Sequence, residues 1–267
     1  MQPPEPPQID TDAVARLYSA LAGGIHTTAG DRARAADVEA RAPGAADRIA
    51  AAREFHAQAA ERAVARAGTR GLIIAEAGYP AWPDPHERAL AVTPASARAV
   101  YCDAGEEVTD VNAEVFRADW RISACQASAL APEALLARPE VQVLPRPWCL
   151  LLCMAVHFWP PETAAAVIAG FGELLPSGSV LALSLSVPGL RPPGQPFGGP
   201  LAVAAGGQVH AHSPEAVAGW LEAAGMTVTD AGVQDVRCWP HPRWAEKELR
   251  ERYRRPWRII GAVARVP

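Results

Sequence analysis

The sequence predicts an α/β fold: a mostly parallel central sheet with helices on both faces and a helical cap at the N-terminus. Three observations predict it. From residue 72 onward, short apolar runs alternate with amphipathic helical segments, the pattern of a parallel or mixed sheet covered by helices. The run "WCLLLCMAVHF" at 148–158 is apolar throughout, as a central strand buried on both faces would be. Two segments with helical periodicity precede the first strand.

The opening "MQPPEPPQID" reads as a polyproline-type arm, with neither the charged region nor the apolar core of a signal peptide. In "TDAVARLYSALA", Val14, Leu17, Tyr18 and Leu21 fall at i, i+3, i+4 and i+7, one face of a helix that Gly23-Gly24 ends. An Ala/Arg-rich stretch follows, broken at Pro43-Gly44, and 45–68 runs as a strong helix stopping at Gly68. Leu72-Ile73-Ile74-Ala75 is the first strand and "ARAVYCD" (97–103) the next. The apolar strand 148–158 leads into an amphipathic helix, 161–175, closed by Pro176-Ser177-Gly178, and a strand at 178–187. "PGLRPPGQPFGGP" interrupts the alternation before the helix 213–225, and "MTVTDAGVQD" and "RIIGAVARV" are the last strands. No repeat or boundary divides the pattern. The expectation is one structural domain, an arm and cap over 1–68 on a core over 69–267.

With 49% hydrophobic and 20% charged residues among 267, the chain can bury a substantial core. A net charge of −4 gives no field to attract nucleic acid, and no basic stripe interleaves with aromatics. No apolar run reaches the roughly 18 residues of a membrane span. Cysteines 102, 125, 149, 153 and 238 read as small buried hydrophobes of a cytoplasmic protein. The expected partner is a small-molecule substrate, with no nucleic acid and no membrane; a homo- or hetero-oligomer is left open.

Ligands of open α/β sheets bind beyond the carboxyl ends of the strands, where the strand order reverses. That rule gathers Glu76–Pro80, Asp103 and His157-Phe158 around one cleft. Asp103 ends a strand, either as a paired acceptor for two ribose hydroxyls or as a cap for the next helix. His157 is a candidate general base, since a histidine titrates near neutrality; the alternative is a hydrogen-bonded structural residue. Phe158 and Trp159 form a stacking wall or core. Tyr18, Gly23 and Gly24 either fold the first helix over the cleft or belong to an ordinary helix with a glycine cap. His210 and His212 with Cys238 and His241 can be drawn as a metal site, but the spacing is that of no zinc motif, and no metal is expected. Trp239, Trp244 and Trp257 with Pro240, Pro242 and Pro256 read as a packing segment or substrate wall, and "EKELRERYRR" (246–255) as a solvated helix. No G-x-S-x-G elbow, P-loop or H-E-x-x-H is present. Gly198-Gly199 and Gly206-Gly207 fit a flap better than phosphate binding.

Taken in order, "ARLYSALAGG" with Asp31-Arg32, Arg53 and Phe55, "AGTRGLIIAEAGYP" with His86-Glu87, "VYCD", "LLLCMAVHFWP", "SPEAVAGWLEAAGMTV" and "GAVARVP" carry a likeness. The chain resembles the actinobacterial S-adenosylmethionine-dependent methyltransferase family once catalogued as a domain of unknown function, a branch of the class I methyltransferases. The resemblance implies a Rossmann-like class I fold and S-adenosylmethionine as cofactor. It places Tyr18, Gly24, Gly78, Asp103 and Phe158 around that cofactor and implies a small-molecule substrate, with secondary metabolism as the setting.

The departures from the family's pattern fall on its cofactor-binding parts. Aligned without gaps, its Asp-Ile-Gly-Thr-Gly loop becomes Ile74-Ala75-Glu76-Ala77-Gly78. Its Lys-Asp-Asn becomes Ile25-His26-Thr27, and its Asp-Leu-Arg becomes Ser128-Ala129-Leu130. Glu76 then replaces a glycine that lets backbone approach the ligand. An ionised Glu76 about 4 Å from a ligand carboxylate would repel it by about 4 kcal/mol at an effective dielectric of about 20. A two-residue shift would instead make Glu76 the strand-end acid and Gly78 the first glycine, at the cost of the His86-Glu87 match. Three functions are open on this sequence. One is methyl transfer to a small molecule, and another is a repurposed site in which Glu76 and His157 converge as an acid/base pair. The third is a non-catalytic homologue that stabilises or regulates a partner.

Overall fold

A computed structural model describes residues 10–93, 95–188, 209–229, 231–240 and 257–267. Three helices open the chain: α1 (Thr11–Leu21), α2 (Ala29–Arg41) and α3 (Ala45–Arg66). Asp10 caps α1 by accepting the Ala13 amide. Thr28 and Asp31 form a reciprocal capping box on α2, satisfying two N–H groups that a helix start leaves without partners. β1 (Gly71–Ala75), α4 (Pro85–Val92), β2 (Arg98–Asp103), α5 (Glu106–Phe116) and β3 (Ile122–Gln126) follow. Next come two short helices, α6 (Pro132–Leu136) and α7 (Pro139–Gln142), then β4 (Trp148–Leu152) and a 3₁₀ turn at Val156–Phe158. α8 (Pro161–Leu174), β5 (Val180–Pro188), α9 (Pro214–Ala223), β6 (Thr227–Val228), β7 (Gln234–Asp235) and β8 (Trp257–Arg265) complete the described chain.

The sheet runs β3-β2-β1-β4-β5-β8-β6, with β7 also paired to β8. β3 through β5 are parallel, and β8 is antiparallel to β5, β6 and β7. Every residue of β1 and β4 is buried, which is why these strands read as unbroken apolar runs. Alternate residues serve opposite faces. Ile73, Leu150 and Leu152 pack with α8 residues such as Phe171, whereas Leu72, Ile74 and Leu151 pack with Phe55 and Ala59 of α3. At Gly261 of β8 an added Cβ would lie 2.7 Å from the Phe55 ring, so the absent side chain sets how closely α3 approaches the sheet.

Several expectations change. The strand expected over 148–158 ends at Leu152, because Met154 adopts a left-handed backbone (φ 52°) and turns the chain out of the sheet. α2, α4, α5 and β3 are elements that the sequence pattern does not announce. The single strand expected over 226–235 is two two-residue pairings. Among the described residues no helix is long and apolar enough to cross a membrane. Residues 1–9 of the arm, 189–208 with both glycine pairs, and 241–256 with His241, Pro242, Trp244, Pro256 and "EKELRERYRR" lie outside the described residues.

Candidate functional site

β1 and β4 lie side by side, and from them the chain winds to opposite edges of the sheet. This is the switch point where open α/β sheets hold ligands. The loops after β1, β2, β3 and β4 enclose a cavity of about 290 Å³, which α1 roofs with Thr11, Val14, Ala15 and Tyr18. Glu76, Gly78, Asp103, Phe158 and Trp159 stand on its walls. A smaller cavity of about 70 Å³ shares Tyr18, Glu76 and Gly78 with it and reaches Arg53, His56 and Asp84. The roof is fastened. Arg16 of α1 pairs with Glu107 of α5 at 2.7 Å, and Asp12 packs so closely on Gly105 that a Cβ there would lie 2.0 Å from its carboxyl oxygen.

Asp103 ends β2 and is buried. Its Oδ2 accepts the Gly78 amide and its Oδ1 the Gly105 amide, each at 2.9 Å, so one carboxylate ties the turns after β1 and β2 together. Each oxygen keeps a further lone pair. Burial raises its pKa, and the amides of Gly105 and Gly78 oppose the rise.

Glu76 follows β1 with φ 52°, and Gly78 has φ 66°. A left-handed backbone is a glycine conformation. Glycine-type geometry at 76 and 78 matches the gapless alignment, in which Glu76 stands in place of the first glycine of a Gly-x-Gly turn. The side chain reaches toward the loop after β3, where Oε1 accepts the Ala129 amide at 2.8 Å and the Ser128 hydroxyl at 3.3 Å. Burial, with the Asp103 charge beside it, pushes the carboxyl up to about 7. The full negative charge expected from the sequence is therefore only partly present near neutrality. Glu76 and Met154, both left-handed without being glycine, both line the cavity. Such strain costs on the order of 1–3 kcal/mol per residue and gathers at functional sites.

The structure places His157 elsewhere than expected. It sits in the 3₁₀ turn rather than at a strand end, and it is 0% exposed. Its Nε2 meets the Tyr18 hydroxyl at 2.9 Å and its Nδ1 faces the Ser186 amide at 3.4 Å. Burial, with His212 nearby, lowers its pKa to about 3. The expected convergence of Glu76 and His157 on one pocket is thus absent: Glu76 is on the wall and His157 lies behind Tyr18. Phe158 lines the cavity and also packs in the core. Gly24 is in the turn after α1, where a Cβ would meet the Ser19 hydroxyl at 2.4 Å, which is a packing reason for glycine. His210 and His212 stack, and Nε2 of His212 faces the Val156 and Trp159 carbonyls at 3.2 and 3.1 Å. No disulfide joins the described cysteines, and Cys153 lies on the cavity wall.

Sequence reasoning missed Met154; it placed Ser128-Ala129-Leu130 at a cofactor-binding part of the family's pattern but not the bond from the Ala129 amide to Glu76. For the α1 roof the signal was present, since Val14 and Tyr18 had been placed on one helical face. The whole arrangement suits a ligand with a vicinal diol and a flat ring. Asp103 has lone pairs for two hydroxyls, and Phe158, Trp159 and Leu130 offer an apolar slot.

The sequence profile of the S-adenosyl methyltransferase family matches residues 2–267. No curated protein matches the chain. Among solved structures the chain is similar to a DUF574-family protein from Streptomyces avermitilis MA-4680, with TM-score 0.78 and 26% identity over 95% of this chain and 97% of that one. It is similar also to a candidate methyltransferase from Thermobifida fusca YX, with TM-score 0.77 and 22% identity over 94% of each chain. A geranyl diphosphate methyltransferase in complex with S-adenosylmethionine shares the fold at TM-score 0.51 and 12% identity, over 97% of this chain and 96% of that one.

Proposed function

We propose, from the premise that the chain belongs to the S-adenosyl methyltransferase family, that it binds S-adenosylmethionine in the Asp103 cavity and methylates a small molecule. The observation that carries this reading is Asp103 itself. It is a strand-end carboxylate, fixed by the Gly78 and Gly105 amides, lining a cavity with lone pairs to spare. That geometry suits a paired acceptor for the ribose hydroxyls.

When bound, the cofactor supplies an electrophilic methyl group. The chain's own residues do the rest by placement. Asp103 orients the ribose, Phe158 and Trp159 wall the cavity with apolar surface, and α1 excludes water from above. Glu76 shares the cavity with Asp103, and its titration near neutrality lowers the charge any ligand carboxylate must face.

The acid/base reading loses its second member, because a histidine with both ring nitrogens engaged behind Tyr18 does not reach a ligand. The test is Asp103→Ala in a titration with S-adenosylhomocysteine. Loss of the paired acceptor weakens binding at least about tenfold; unchanged affinity would show that Asp103 only braces the turns.

A further inference from the structure

His157 and Tyr18 are 139 positions apart in sequence, yet they share one hydrogen bond of 2.9 Å beside the cavity. Which partner donates can be worked out from the other side of the imidazole. There the Ser186 amide points its N–H at Nδ1 over 3.4 Å. An amide N–H can only donate, so Nδ1 is the acceptor and carries no proton. A neutral imidazole has one N–H, and it therefore sits on Nε2. Charging the ring would put an N–H against the Ser186 N–H inside an apolar core, and burial already holds the ring neutral down to about pH 3. The opposite tautomer fails for the same reason. Nε2–H must then donate to the Tyr18 oxygen, which leaves the phenolic hydrogen free, and the Tyr18 side chain lines both cavities.

We propose that His157 is a positioning residue that makes Tyr18 a hydrogen-bond donor for the cavity, so that the bound ligand presents an acceptor oxygen or nitrogen to Tyr18. The ligand class follows from the two ends of the site. Asp103, at one end, takes hydroxyl or amino donors, and Tyr18, on the α1 side, takes an acceptor. A ligand that offers only a donor at the Tyr18 end leaves the phenolic hydrogen without an acceptor, and is selected against. Burial raises the Tyr18 phenol far above its ordinary value, so it acts as a fixed donor and not as a base. The identity of the adenosyl ligand rests on the methyltransferase reading; the donor assignment does not.

Two measurements test the inference. In the unliganded protein, ring ¹⁵N chemical shifts of His157 report the tautomer directly. The expected result is a neutral ring protonated at Nε2 from pH 5 to 8; protonation at Nδ1 overturns the proposal. The second is calorimetric titration with S-adenosylhomocysteine. Tyr18→Phe weakens binding about tenfold, the scale of one hydrogen bond. His157→Gln, which still offers an N–H toward Tyr18, stays within about threefold of wild type, and adds nothing further in the Tyr18→Phe background. Unchanged binding by Tyr18→Phe overturns the proposal. A wild-type protein that binds no adenosyl ligand defeats the methyltransferase reading, while the tautomer still decides the donor assignment.

Discussion

A carboxyl oxygen of Glu76 accepts the amide of Ala129 at 2.8 Å, joining the loop after β1 to the loop after β3 along the cavity wall. Glu76 holds this position in a backbone conformation that favours glycine. Glu76→Gly relieves the left-handed strain and removes bulk and charge from the cavity. S-adenosylhomocysteine is expected to bind that variant about tenfold more tightly. Weaker binding would mean that the side chain supports the ligand.

The pH dependence of stability follows from the same carboxyl. Its ordinary value is 4.5 and the folded value is about 7, so the folded protein holds the proton more tightly. Stability from this group is full below pH 4.5 and is lost as pH rises toward 7. Urea unfolding of wild type and Glu76→Gln at pH 5 and pH 8 checks the sign. Wild type should lose ground to the variant as pH rises; a constant difference would place the carboxyl in solvent.

His157 moves in the opposite sense. Its ordinary value is 6.5 and the folded value about 3, so the unfolded chain binds the extra proton. Its contribution is present above pH 6.5 and is lost as pH falls toward 3. Between these limits it gives a slope of about 1.4 kcal/mol per pH unit. His157→Gln should flatten the unfolding free energy between pH 6 and 4 by that amount. An unchanged slope would mean that the ring is not buried neutral.

Packing gives a prediction independent of the site. Gly261→Ala drives a methyl into the Phe55 ring and should destabilise the protein by about 1–3 kcal/mol, the usual range for overpacking a core. Phe55→Leu in the same chain should recover part of that loss. Chemical denaturation measures both.

The sheet was legible where burial on both faces left no choice of residue. β1 and β4 read as apolar runs for that reason. β3 did not, because its alternation is interrupted: Ser123 and Ala124 are partly exposed and Gln126 is exposed. α2 has only Asp31, Ala35 and Val38 buried, so its Ala/Arg pattern lacked an apolar face; the Thr28–Asp31 box was the readable sign. Asp103 and Glu76 were found because strand ends mark the cleft. The place of His157 was not legible. It depends on Met154 turning left-handed, a conformation that the residue type does not announce. The direction of Glu76 toward Ala129, and the meeting of Tyr18 with His157, are long-range contacts that no local pattern encodes.

The central claim is that the Asp103 cavity holds an adenosyl cofactor. Titration calorimetry of the wild-type protein with S-adenosylmethionine and S-adenosylhomocysteine tests it most directly. The account predicts saturable binding of one ligand per chain with micromolar dissociation constants. No heat of binding at millimolar concentrations of either ligand would contradict it.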